Sequence, residues 1–135
     1  MPVEDAATIE KILRDSKTIA LVGASENPAR DANRIMRFLL NRGYTVHPVN
    51  PRYPSVLGKT CYPDLVSVPD PIDIVDVFRR SEAVPGIVDE AIKIKAKVLW
   101  LQLDVVHEEA AATAEQHGMQ VIMDRCIAVE HRRLL

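Results

Sequence analysis

Short runs of aliphatic, largely β-branched residues recur along this chain, each separated from the next by a stretch with helical spacing. This alternation limits the fold more than any other feature. Thr18–Val22, Tyr44–Val49, Ile72–Phe78, Val98–Leu103 and Met119–Met123 are the five strand-like runs. Their near-continuous apolar character suits strands covered on both faces, as in a parallel sheet sandwiched by helices. Asp5–Asp15 forms an opening helix. Asn33–Arg42 places Ile35, Phe38 and Leu39 at i, i+3, i+4 and ends at Gly43, a residue suited to the left-handed cap. Ser81 is expected to cap a helix presenting Val84, Ile87, Val88, Ala91 and Ile92, with Pro85 tolerated in its first turn. His107–His117 is the last predicted helix, closed by Gly118.

The resulting order, α-β-α-β-loop-β-α-β-α-β, predicts an α/β chain. It reads as one Rossmann-like doubly wound domain over residues 1–135, with a five-stranded parallel sheet and right-handed crossovers. Six of the nine prolines fall between Pro48 and Pro71, which makes the connection after the second strand long and stiff, with a helical turn expected around Asp64–Val66.

Charge and composition narrow the function. The formal net charge is −2 and aromatics are scarce, which argues against a general nucleic-acid binder or a base-stacking platform. The basic residues cluster, however. Arg30, Arg34, Arg37, Arg42, Arg52 and Lys59 face only Asp31 within residues 30–59, so that segment is +5 and the remainder −7. A basic island in a mildly acidic chain points to a small anion. No stretch approaches the ~20 apolar residues of a membrane helix, no basic-then-apolar leader opens the chain, and Cys61 and Cys126 make no CxxC pair. A reducing cytoplasmic setting without a membrane role is expected.

Open α/β sheets bind ligands beyond the carboxyl ends of their strands. After the first strand, Gly23 permits close backbone approach, Ala24, Ser25 and Glu26 follow, and the next helix aims its free amides at any bound phosphate. Arg30 and Arg34, four apart, would share a face there if both were helical. After the second strand, Asn50-Pro51-Arg52 offers a cation where a NAD site would carry a carboxylate. After the third come Val77, Phe78 and Arg79, with Phe78 readable as a wall for an adenine or as ordinary core. The sequence designates no catalytic base, nucleophile or metal ligand.

Val22-Gly23-Ala24-Ser25, the helix bearing Arg34, Asn50-Pro51, Val75-Asp76-Val77-Phe78-Arg79, Leu99-Trp100-Leu101-Gln102 and Met123-Asp124-Arg125-Cys126 together resemble the small stand-alone CoA-binding proteins, often called YccU-like. These are similar to the CoA-binding domain of the succinyl-CoA synthetase α subunit, and the resemblance runs from about Ile9 to Leu134. It implies that the chain binds coenzyme A or an acyl-CoA. Gly23, Ala24, Ser25 and Glu26 would meet the pyrophosphate, Asn50, Pro51 and Arg52 would flank the adenosine part, and Val77, Phe78 and Arg79 would wall the adenine and pantetheine side. Gln102 and Trp100 would line the pantetheine path, with core packing the other reading of Trp100. The synthetase loop holds more glycine, and its phosphate-facing lysine is replaced by Arg52 or lost. Its phosphorylated histidine belongs to a second domain, so His47, His107, His117 and His131 are expected to be structural or solvated. Cys126 would lie on the ligand edge, either as an inert small hydrophobe or within reach of the CoA thiol. An NADP(H)-binding small enzyme or sensor using the same cleft is the alternative. A phospho-receiver or pure interaction domain ranks last, because only Glu26 supplies a carboxylate after the first strand.

Overall fold

The computed structural model describes residues 1–135. Its main sheet contains β1 (Thr18–Val22), β2 (Thr45–Val49), β5 (Ile74–Val77), β6 (Val98–Leu101) and β7 (Gln120–Ile122), all parallel, in the order β2-β1-β5-β6-β7. The helices are α1 (Ala6–Asp15), α2 (Asp31–Asn41), α3 (Val84–Lys93), α4 (Glu108–Gln116) and α5 (Ile127–Leu134). None is long and apolar enough to cross a membrane.

The two-residue period of a strand sorts the core into two layers. Ile19 and Leu21 of β1, Ile74 of β5 and Val98 and Trp100 of β6 point toward α1, α2 and α5, where they meet Ile9, Met36 and Ile127. Ala20 and Val22, Val75 and Val77, and Leu99 and Leu101 point the other way, onto Val84, Ile87 and Val88 of α3 and Ala110 and Ala114 of α4. Because both faces are covered, all four residues of β5 and all four of β6 are buried. Truncating one such side chain, Leu21→Ala for instance, costs about 2–5 kcal/mol in lost transfer energy and cavity formation.

The elements read from the sequence are present, with strand ends trimmed where backbone pairing stops. Gly43 closes α2 with φ +93, and the Tyr44 amide donates to the Leu39 carbonyl at 3.2 Å. The turn expected at Asp64–Val66 is a 3₁₀ turn over Leu65–Ser67, its Ser67 amide donating to the Asp64 carboxylate at 2.9 Å. Ser81 differs from expectation. It begins a separate 3₁₀ turn, Ser81–Ala83, and its hydroxyl oxygen accepts from the Val106 amide at 3.0 Å, so it ties two loops together and caps nothing. Two features lie outside the sequence reading: α5, and a small antiparallel hairpin of β3 (Ser55–Val56) and β4 (Lys59–Thr60) inside the proline-rich connection. That connection also extends the sheet edge, since the Asn50 amide donates to the Tyr62 carbonyl and the Tyr62 amide to that of Pro48.

Candidate functional site

Strand order reverses between β1 and β5, and the loops leaving these two strands are pressed together. The Phe78 amide donates to the Val22 carbonyl at 2.8 Å, and the Gly23 amide to the Val49 carbonyl at 2.9 Å. Gly23 has φ +92, and a Cβ placed on it would lie 2.5 Å from the Phe78 carbonyl oxygen. The close approach that glycine permits is therefore to the neighbouring strand's own backbone.

The loop after β1 is held by side chains on both sides. Asn50 donates from Nδ2 to the Ala24 carbonyl at 2.8 Å while its Oδ1 accepts from the Arg52 amide. Asn33, buried in α2, donates to the Ser25 carbonyl at 2.9 Å and is itself held by Arg37 at 2.6 Å. Glu26 accepts from the Leu57 amide at 2.8 Å, which fastens the β3–β4 hairpin to the loop. These bonds leave a cleft of about 530 Å³ bordered by Gly23, Ser25, Arg30, Arg52, Tyr53 and Phe78. The first turn of α2 opens onto it through Ala32, and the Asp31 and Ala32 amides make no intrachain hydrogen bond. Two guanidinium groups and a helix N-terminus thus converge on one polar hollow, an arrangement that favours an anion.

A larger cavity of about 750 Å³ adjoins this cleft, with Asp31 and Phe78 common to both. Its apolar walls include Ile35 and Phe38 of α2 and Ala128 and Val129 of α5, with Gln102 reaching it from the end of β6 and Cys126 from the residue preceding α5. Arg34, Arg79, Arg80 and Arg132 also border it, against Asp31 and Asp104, so it carries net positive charge. Gln102 is only 5% exposed, and its Oε1 accepts from the Ile127 amide at 3.2 Å, which seats the start of α5.

The expected site residues therefore divide. Gly23, Ser25, Arg30 and Arg52 border the cleft, Arg34, Arg79 and Gln102 the larger cavity, and Phe78 both. Ala24, Glu26, Asn50, Pro51 and Val77 border neither. Val77 and Ala24 are fully buried in opposite core layers, and Glu26 and Asn50 hold the loop's shape. Arg30 and Arg34 do not share a helical face, because Arg30 is the extended residue before α2. Arg34 instead donates to the Ala29 carbonyl at 2.9 Å and pairs with Asp31. Trp100 is core, fully buried, with Nε1 donating to the Arg125 carbonyl at 2.8 Å.

Of the +5 segment, only Arg30, Arg34 and Arg52 reach the two cavities. Arg37 supports Asn33, and Arg42 stacks 4.5 Å from the centre of the Phe38 ring. Arg80 and Arg132, which replace them at the cavity, were not singled out in the sequence. For Arg132 the missing signal was α5 itself, whose period of Ile127, Ala128 and His131 is short but readable.

Each histidine makes a contact within the chain. His107 accepts from the Ala110 amide at 3.1 Å as the cap of α4, and His117 bonds the Thr113 carbonyl at 2.9 Å. His47 pairs with Asp70 at 2.9 Å. His131 lies edge-on to Phe38 and Tyr44, and burial, then Arg42, holds its pKa below the usual imidazole value. One further group stands out. Asp76, at the centre of β5 between Leu21 and Trp100, is fully buried and neither carboxyl oxygen has a partner. Burial pushes its pKa well above the ordinary carboxylate range and so favours its neutral form.

Comparison with known proteins bears on this architecture. Residues 17–132 match the family described as a CoA binding domain. The uncharacterised protein YneT of Bacillus subtilis (strain 168) is 42% identical over 125 residues, which span 93% of each chain. An ADP-forming acetate–CoA ligase of Archaeoglobus fulgidus is 29% identical over 123 residues, 84% of this chain but 18% of the ligase. Among solved structures, a hypothetical protein from Pyrococcus horikoshii OT3 superposes with a TM-score of 0.95 at 43% identity, covering 99% of this chain and 96% of its own.

Proposed function

The chain belongs to the CoA-binding domain family, and from that premise we propose that it binds coenzyme A or an acyl-CoA across the two adjoining cavities. The observation that carries this reading is the pairing of a cationic, amide-lined cleft with a larger apolar-walled cavity, both bordered by Phe78. CoA has the same division, with phosphates at one end and a pantetheine arm at the other.

Ser25, Arg30, Arg52 and the free amides of α2 would hold phosphate oxygens, since guanidinium forks and helix N-termini both favour them. Phe78 would separate the two ends of the ligand. Ile35, Phe38 and Val129 would cover the pantetheine arm, with Arg34 and Arg79 at its phosphate-proximal end. Gln102 fits an amide-bearing ligand, because its Oε1 is engaged within the chain while its Nε2 has no protein partner. Ala24, Glu26, Asn50 and Pro51 would act one step back, by keeping the loops in place.

Calorimetric titration with CoA, acetyl-CoA and succinyl-CoA tests the proposal. Saturable binding that weakens as salt rises is expected, and no signal at millimolar ligand would overturn it. The competing NADP(H) reading draws on Arg52, which stands where a 2′-phosphate is met in dinucleotide sites. NADPH displacing bound CoA at comparable concentration would favour it.

A further inference from the structure

We propose that Cys126 is a thiol-exchange site in the wall of the larger cavity, where it takes the disulfide form of CoA to give a protein–CoA mixed disulfide. This rests on the CoA-binding reading above and adds a covalent, redox-dependent state of the same site.

Three observations converge. Cys126 is a free cysteine, half-buried, and it lines the 750 Å³ cavity from the residue preceding α5. Gln102, 5% exposed, borders that cavity with an Nε2 that no protein group satisfies, while its Oε1 grips the amide of Ile127, the residue next to Cys126. That Nε2 is free to donate to a ligand carbonyl, and an amide-containing chain ending in sulfur supplies one beside the thiol. The surrounding Arg79, Arg80 and Arg132 attract a ligand that carries phosphate charge. Cys61, the other cysteine, is buried, with Sγ donating to the Asn50 carbonyl at 3.4 Å, and lines neither cavity.

The exchange balances without another reagent. The Cys126 thiol gives its proton to solvent, and the thiolate sulfur attacks one sulfur of the CoA disulfide. The new Sγ–S bond forms as the old S–S bond breaks, and the electron pair leaves on the second CoA as a thiolate, which is protonated. Cys126 is oxidised, and the departing CoA sulfur is reduced.

The test incubates reduced, desalted full-length protein with CoA disulfide and, separately, glutathione disulfide, followed by intact-mass measurement and peptide mapping. One CoA adduct is expected, mapped to Cys126, removed by dithiothreitol, absent in Cys126→Ser and retained in Cys61→Ser. Because the cavity positions the reagent, CoA disulfide should react on the order of tenfold faster than glutathione disulfide. Parallel calorimetry with reduced CoA separates failure of the exchange site from failure of CoA binding. Reversible CoA binding without an adduct, with an adduct on Cys61, or with equal rates for the two disulfides overturns the exchange site alone. No binding of reduced CoA overturns the ligand reading and the exchange site with it.

Discussion

Gly23 and Phe78 meet so closely that a Cβ on the glycine would stand 2.5 Å from the phenylalanine's carbonyl oxygen and 2.9 Å from its carbonyl carbon. The contact sets how far apart the loops after β1 and β5 can lie, and Phe78 is the wall between the two cavities. The same glycine carries φ +92, a region that L side chains rarely occupy.

Gly23→Ala should therefore damage fold and site together. Backbone strain and displacement of Phe78 are expected to cost roughly 3 kcal/mol, measured by urea denaturation. A loss below about 1 kcal/mol would mean that the loops can separate without penalty.

Asp76→Val should stabilise the protein at neutral pH, since it replaces an unpartnered buried carboxyl with an apolar β-branched residue in a strand. The pH dependence has a definite sign. The folded acid keeps its proton well above the value of 3.8 at which the unfolded chain releases it. The native state then binds more protons, and the contribution of Asp76 to stability falls as pH rises from 3.8 through the raised folded pKa. Denaturation midpoints should show the advantage of Asp76→Val growing from about pH 4 to about pH 7. A constant difference across that range would contradict a raised pKa in the folded state.

Arg30→Ala and Arg52→Ala should each weaken CoA binding by about tenfold at low salt and flatten its salt dependence, while adenosine binding changes little. Equal losses for CoA and adenosine would remove these arginines from the phosphate end.

Trp100→Phe should cost about 1–3 kcal/mol, because the Arg125 carbonyl loses its indole donor and a small void opens in the layer shared with Leu21. Amide hydrogen exchange should accelerate at the start of α5, which the β7–α5 loop positions. Unchanged exchange there would show that the Gln102–Ile127 bond alone seats that helix.

Much of the fold was legible because it rests on local periodicity. The five apolar runs and the helices between them follow from side chains that must be buried on both faces of a sheet. Gly43 and Gly118 end helices for a reason visible in one residue. The pieces that escaped notice are those with weak local signals: α5 is eight residues long, and the β3 and β4 strands have two each. A serine ahead of an apolar helical run looks like a cap, but at Ser81 the Val106 amide, far along the chain, claims the hydroxyl.

The site divides along the same line. The pattern of residues determined that the loops after β1, β2 and β5 gather at one sheet edge and that cations sit near them, because strand order and helix polarity follow from connectivity. Which side chains line the two cavities was decided only by tertiary packing. Strand parity sends Val77 into the core while Phe78, one residue on, borders both cavities. Long-range hydrogen bonds assign Asn50 and Glu26 to loop support. The arrival of α5 brings Arg132 and Cys126 to a cavity that α2 alone could not enclose. A one-dimensional pattern specifies periods and ends, but the direction in which a side chain points at a loop depends on what packs against it.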